Sequence, residues 1–321
     1  MTRAGLMFLL KVVVSLGLLA FLLSKIDLSD FLGALASAHV SYLIVALVAY
    51  FFSQIISSFR WALLARALGF KNPLTDFATF YFIGMFFNLF APSTVGGDVG
   101  RVFYLSRDGN KDKDGRRAGS VGFATISVLA DRAVGMGVLI WIGAVTLAAF
   151  PGYAIPAAIR YATFALALAF LLGGVSLPLI NRLFQSRDGA LWKSLGGALQ
   201  IYWDRRRVIV YTALLSLAVH FLQGWMQVLM GRALGAEIPW SYGFIIYPLV
   251  GVFSALPISL NGIGLREGGY LFLLPLIGVS SEKAVAFGLL WFLIVALDSL
   301  VGGLVFILRR RAQPPQQDQV R

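Results

Sequence analysis

Pro92–Arg101 reads PSTVGGDVGR, and Pro257–Arg266 reads PISLNGIGLR. Both stretches open on proline and close on arginine nine positions later, with Gly97 in register with Gly262 and Thr94 with Ser259. The echo continues upstream with a one-residue offset: RALG at Arg66–Gly69 and at Arg232–Gly235, Pro73 and Pro239, Tyr81 and Tyr247. The chain therefore carries a diverged internal repeat. In each copy an apolar run feeds a Pro/Gly-rich turn that ends in charges, a pattern that breaks a helix. Repeated, interrupted apolar segments in a membrane chain point to a transport site.

Composition places these motifs in a membrane. Of the 321 residues, 59% are hydrophobic and only 13% charged, with a mean hydropathy of +0.81. Soluble domains carry about 25% charged residues. The absence of cysteine rules out disulfides and Cys-ligated metal centres and leaves the redox compartment open. His39 and His220 are the only histidines, too few for a His-based metal centre. No cofactor is expected. The net charge of +12 falls in segments between apolar runs, so it reads as topology and not as a nucleic-acid surface.

Working outward, full spans are expected at 6–23, 42–64, 119–149, 157–180, 208–230 and 284–308. The first has no small-residue cleavage site after it and reads as a span, not a signal peptide. Residues 24–41 form an amphipathic connection. The runs 77–90 and 243–256, which lead into the two motifs, are too short to span comfortably. Residues 101–118 and 182–207 read as basic loops, the second holding Arg205, Arg206 and Arg207. If both short runs are re-entrant, these loops and Arg309–Arg311 share one side with both termini, as the positive-inside rule asks. The two repeats are then inverted. The expected fold is an all-α integral membrane protein of about six spanning helices plus two inverted-repeat re-entrant helical hairpins. Residues 1–311 form its single polytopic domain, and 312–321 form a polar, disordered tail.

Charges inside spans cost at least about 2.5–3.5 kcal/mol and mark function or buried pairing. Asp131 and Arg132 fall near the middle of the third span and Asp298 near the middle of the sixth. They are the candidate cavity or gating residues. Asp98, Arg101, Arg266 and Glu267 fall at the breaks. Arg101 and Arg266 are expected to approach one shared cavity and grip an anionic headgroup, since guanidinium matches phosphate bidentately. Asp98 and Glu267 would balance them, and the backbones of Gly96, Gly97 and Gly262 would add amide donors. The competing reading is that these charges form buried ion pairs that pin helix packing. Asn88 and Asn261 either line the cavity or satisfy backbone freed at the breaks. His220 reads as a packed, hydrogen-bonded residue. GGDVG lacks the ending of a phosphate loop, and the tryptophans mostly read as an aromatic belt.

PSTVGGDVGR with the following VFYLSR, and PISLNGIGLREGG, resemble the two signature stretches of the lysylphosphatidylglycerol synthase transmembrane-region family. Asp131-Arg132 fits the same pattern, and the likeness runs to about Arg311. The resemblance implies lipid translocation between leaflets, with aminoacylated phosphatidylglycerol as best-known cargo, in the bacterial inner membrane. No aminoacyl-transfer domain follows residue 311, so lysyl transfer is not expected of this chain, and the cargo extends to other anionic or lipid-linked species. Three readings stand: a lipid flippase, a membrane-embedded transferase acting on a lipid-linked substrate, and a scaffold for lipid or glycan biosynthetic enzymes. A magnesium-dependent transferase would want a carboxylate cluster, and Asp98 with Glu267 is thin provision. The expected partners are membrane lipids with anionic headgroups, together with such a biosynthetic enzyme.

Overall fold

A computed structural model of the chain describes residues 3–90, 95–108, 121–185, 189–256, 258–259 and 262–312. The motif residues Pro92, Thr94, Pro257 and Asn261, the basic run 109–120 and the tail from residue 313 lie outside the described residues.

Among the described residues the chain is helical throughout. Five long apolar helices are each sufficient to cross a bilayer: α3 (Val40–Ala67), α6 (Val121–Ala149), α7 (Ala157–Val175), α10 (Arg206–Ala233) and α13 (Ser281–Ala312). α1 (Arg3–Leu23) and α2 (Leu28–Ala36), bent by 95°, make a sixth when the pair is counted as one broken span. Asp27 makes that bend, accepting the Ser29 and Asp30 amides at 2.8 and 3.1 Å and so starting a new helix. The short runs become α4 (Leu74–Phe90) and α11 (Trp240–Ser254).

Each short helix turns back on itself. α5 (Val95–Asp108) returns along α4. Phe80 near the start of α4 stacks on Tyr104 near the end of α5, while Asn88 near the end of α4 takes the Gly97 amide near the start of α5. α12 (Leu265–Leu273) returns along α11 in the same way, with the Tyr242 hydroxyl on the Leu273 carbonyl and Gly262 against Ser254. Glycine permits the closeness: a side chain on Gly97 would collide with the Gly84 carbonyl, and Gly262 sits at φ +75°.

α3 and α10, which end in the two RALG copies, pack antiparallel along their length. The His39 amide at the start of α3 bonds the Ala233 carbonyl at the end of α10, while Arg60 late in α3 bonds Ser216 early in α10. Each hairpin also leans on the final helix of the other repeat, α4 on α13 and α11 on α6. These paired contacts are what an inverted repeat around the α3–α10 seam requires. α11 contains Pro248, which removes one helical hydrogen bond and leaves the Phe244 carbonyl short of its donor. Thr146 of α6 brings its hydroxyl within 3.1 Å of that carbonyl, and Gly143 makes room for the proline ring.

Two apolar cores form at opposite ends of the bundle. One gathers Trp61, Leu64, Phe77, Phe80, Leu105 and Val128; the other gathers Tyr50, Met226, Met230, Tyr242, Tyr270 and Phe287. Between them lies a polar layer at mid-helix depth that includes Ser53, Gln54, Ser57, Arg60, Asp131, His220 and Gln227, all buried.

Three expectations change. The reading of 182–207 as a loop gives way to α8 (Leu177–Gln185) and α9 (Ala190–Asp204), so the fourth span ends at Val175 and not at 180. α9 forms because Ala198 and Tyr202 pack into the first core, where the Tyr202 hydroxyl bonds the Leu64 carbonyl at 3.2 Å. The sequence GGDVGR is the first turns of a helix and not a turn, and that helix continues to Asp108. A 3-10 turn, Leu274–Ile277, carries α12 towards α13.

Gly97→Ala should lower thermal stability in detergent by about 1–3 kcal/mol, because backbone has to move to admit the methyl. Gly173→Ala on α7, which meets nothing within 4 Å, should not. The chain has no cysteine, so single cysteines report topology directly. Lys71→Cys and Glu237→Cys, at equivalent exposed positions of the two repeats, should label with an impermeant maleimide from opposite sides of the membrane.

Candidate functional site

The polar layer surrounds a cavity of about 280 Å³. α3 contributes Tyr50, Gln54, Ser57 and Arg60; α4 and α5 contribute Tyr81, Asn88, Asp98 and Arg101; α6 contributes Asp131 and Arg132; α10 contributes His220 and Gln223. The spacing on α3 explains its share. Ser53, Ser57 and Arg60 recur at helical intervals and turn one polar stripe inward from an otherwise apolar span.

One carboxylate organises the charges. Asp131 accepts from Arg60 Nε at 2.7 Å through one oxygen and from Arg101 Nη2 at 2.9 Å through the other. Arg60 is also bonded to Ser216 Oγ at 3.0 Å. Arg101 lies 3.7 Å from Asp98, and Asp98 is bonded to Arg132. Adjacent Asp131 and Arg132 thus face different partners yet border the same space. Three guanidiniums against two carboxylates leave the cavity cationic. Arg101 sits between aromatic faces, 4.2 Å from the Trp61 ring and 4.6 Å from the Tyr81 ring. Its Nε is buried and meets no acceptor among the described residues.

Exposure rises along this chain of charges. The side chains are 2% exposed at Asp131, 7% at Arg101, 15% at Asp98 and 44% at Arg132. Val99 and Phe103 on α5 and Leu129 on α6, the helices that carry Asp98 and Arg132, are large apolar side chains that are themselves exposed.

The opposite wall is a neutral hydrogen-bond network. His220 is held by the Tyr247 hydroxyl at 2.8 Å and the Gly135 carbonyl at 2.9 Å, as a packed histidine would be. Tyr247 donates to Gln223, and Gln223 donates to Ser53. Asn88 does both things open to it: it lines the cavity and takes the Gly97 amide at 2.7 Å. Gly97 is thereby engaged within the hairpin, and Gly96 beside it does not line the cavity.

The second motif is placed differently. Arg266, Glu267 and Gly262 do not line the cavity, so the two repeat arginines are not brought to one site. Arg266 bonds its own neighbour Glu267 at 2.8 Å, and Glu267 takes the Gly264 amide at 2.6 Å, capping the start of α12. Arg266 does not reach the buried carboxylate of α13, Asp298, whose oxygens meet no donor among the described residues, and Glu267 supplies an acceptor locally. Asp298 is buried on α13 and also lies outside the cavity lining. Among the described residues no three of His, Asp and Glu converge as a metal-binding group.

Arg60 and Trp61 are the residues that sequence reading missed. Arg60 falls inside the expected span 42–64 without standing out, and Trp61 is one of the tryptophans that read as an aromatic belt. The signal for Arg60 was its place on the polar stripe of α3; for Trp61, fully buried under Arg101, there was none. A larger surface groove of about 760 Å³ lies where α10 ends, bordered by His39, Trp225, Arg232 and Trp240.

No curated protein sequence matches the chain. The profile of one family does match, over residues 8–302, from within α1 to within α13 and through both hairpins. With the inverted hairpins and the charged mid-bundle cavity inside the matched region, the chain belongs to the family described as the lysylphosphatidylglycerol synthase TM region.

Proposed function

We propose that the protein is a lipid flippase in which the headgroup of an anionic lipid enters the Arg60–Arg101–Arg132 cavity while its acyl chains stay in the bilayer. The observation that carries this is Arg132, which stands near the middle of α6 with a 44% exposed side chain among exposed apolar neighbours. An arginine facing hydrocarbon costs at least about 2.5 kcal/mol. A lipid phosphate arriving between α5 and α6 would offset that cost with charge-assisted hydrogen bonds. Val99, Phe103 and Leu129 would meet the chains, and the buried Arg101 Nε would supply a donor deeper in. Asp98 would balance the charge, or read a cationic group on an aminoacylated headgroup.

The cargo class in this reading is an anionic or aminoacylated phospholipid, or a lipid-linked intermediate. In this reading the protein is a transporter, and the pairing of both cavity carboxylates with arginines supports a binding role for them. It would sit in the bacterial inner membrane with both termini cytoplasmic, serving a lipid or glycan biosynthetic enzyme and binding no nucleic acid.

The test uses proteoliposomes with headgroup-labelled phosphatidylglycerol and, as control, labelled phosphatidylcholine. Arg101→Ala and Arg132→Ala, each confirmed folded, should slow phosphatidylglycerol movement about tenfold or more, the value of one charge-assisted hydrogen bond. Equal rates in wild type and both variants would overturn the arginine mechanism.

A further inference from the structure

Asp298 is the buried charge that the cavity network leaves out. It is 2% exposed, and neither of its carboxylate oxygens meets a hydrogen-bond donor among the described residues. The other buried carboxylates are engaged, Asp131 by Arg60 and Arg101, Glu267 by Arg266 and the Gly264 amide. An ionised carboxylate left without donors in a membrane interior costs several kcal/mol, whereas the neutral acid avoids most of that cost.

Its surroundings connect it to the cavity. Asp298 shares a face of α13 with Trp291, two turns earlier, and Gly302, one turn later. Trp291 packs edge-on against Tyr50, and Gly302 packs on the Phe82 backbone of α4. Tyr50 of α3, on which Trp291 packs, also lines the cavity. The other ionisable groups on the packed elements are spoken for or remote. Tyr81 on α4 lies under Arg101; Arg266 on α12 is tied to Glu267; Tyr270 on α12 is bonded to Gln227; His220 on α10 is bonded to Tyr247; Asp30 on α2 is exposed. Among the described residues no cation is bonded to Asp298. A metal ion would need a cage of several oxygen ligands, and one isolated carboxyl favours a proton instead.

We propose that Asp298 is a proton-binding site that couples headgroup movement to a transmembrane proton gradient, exchanging its proton with the cavity past Tyr50. The step is balanced. The carboxylic O–H breaks, the proton passes to cavity water, and the carboxylate left behind takes a proton back in the alternate arrangement. The coupling rests on the transport reading above; occupancy of the site by a proton does not.

Two measurements on reconstituted full-length protein separate these. Infrared spectra should show a protonated-carboxyl band at neutral pH that is missing from Asp298→Asn. Absence of that band in wild type would overturn the proposal whatever the transport result. In proteoliposomes with labelled phosphatidylglycerol, an imposed pH gradient should change the wild-type rate. Asp298→Asn should lose that response, and Asp298→Glu, which keeps a carboxyl, should retain it. A response that survives in Asp298→Asn, or that follows a sodium gradient instead, would overturn the coupling. A wild type that shows the band but moves no lipid under any gradient would overturn both the coupling and the flippase reading, with the proton site left standing.

Discussion

The Asp131 carboxylate holds two guanidiniums from different helices, and the first half of the bundle is arranged around it. Arg60 reaches it from the long α3 and Arg101 from the returning arm of the first hairpin, while Asp131 stands on α6. A re-entrant hairpin has little apolar length with which to anchor itself. Here the buried Arg101–Asp131 pair ties it to α6, and Arg60 ties the same carboxylate to α3. Breaking a buried pair typically costs about 3–5 kcal/mol because the abandoned charge stays desolvated. That cost fixes where the hairpin returns and therefore where the cavity lies. The charge count follows from the same arrangement: one carboxylate cannot neutralise two arginines, and a third arginine is added at the open end.

The inverted repeat reproduces the backbone and not the chemistry. Both hairpins turn back near mid-bundle, and both lean on the last helix of the other repeat. The first is charged and borders the cavity. The second neutralises itself, with Glu267 capping α12 and pairing Arg266 beside it. α13 carries Asp298 where the first repeat has the Asp131-Arg132 pair on α6, and no arginine reaches it. The two halves therefore differ: one borders the charged cavity, and the other holds two buried acids, Glu267 paired with Arg266 and Asp298 without a donor among the described residues. The polar layer lies between the two apolar cores, and the larger core draws Tyr50 and Leu147 from the first repeat as well as Met226 and Phe287 from the second.

Much of this was legible before any coordinates. The spans at 42–64, 119–149, 208–230 and 284–308 correspond to α3, α6, α10 and α13, because a bilayer demands long apolar runs that composition alone reveals. The hairpins were legible because two short runs ended in matched Pro/Gly breaks. The helices α8 and α9 were hidden because the segment 182–207 holds Arg182, Arg187, Lys193 and Arg205–Arg207 and reads as a basic loop, although Ala198 and Tyr202 within it are buried.

The sequence by itself determined that the chain is a helical membrane protein with an inverted repeat, and that Asp131, Arg132, Asp98 and Arg101 needed explanation. Periodicity, hydropathy and the cost of charge in hydrocarbon are local properties, readable one segment at a time. Only the tertiary structure decided which charges meet. Arg101 lies 30 positions from Asp131 and Arg60 lies 71 away, and nothing in their spacing says that both share one carboxylate. Arg266 has the same motif around it as Arg101, yet it bonds its neighbour Glu267 and does not reach Asp298, the buried acid of α13. Pairing is set by which side chains the packed helices bring within hydrogen-bond distance, and that is a property of the whole bundle.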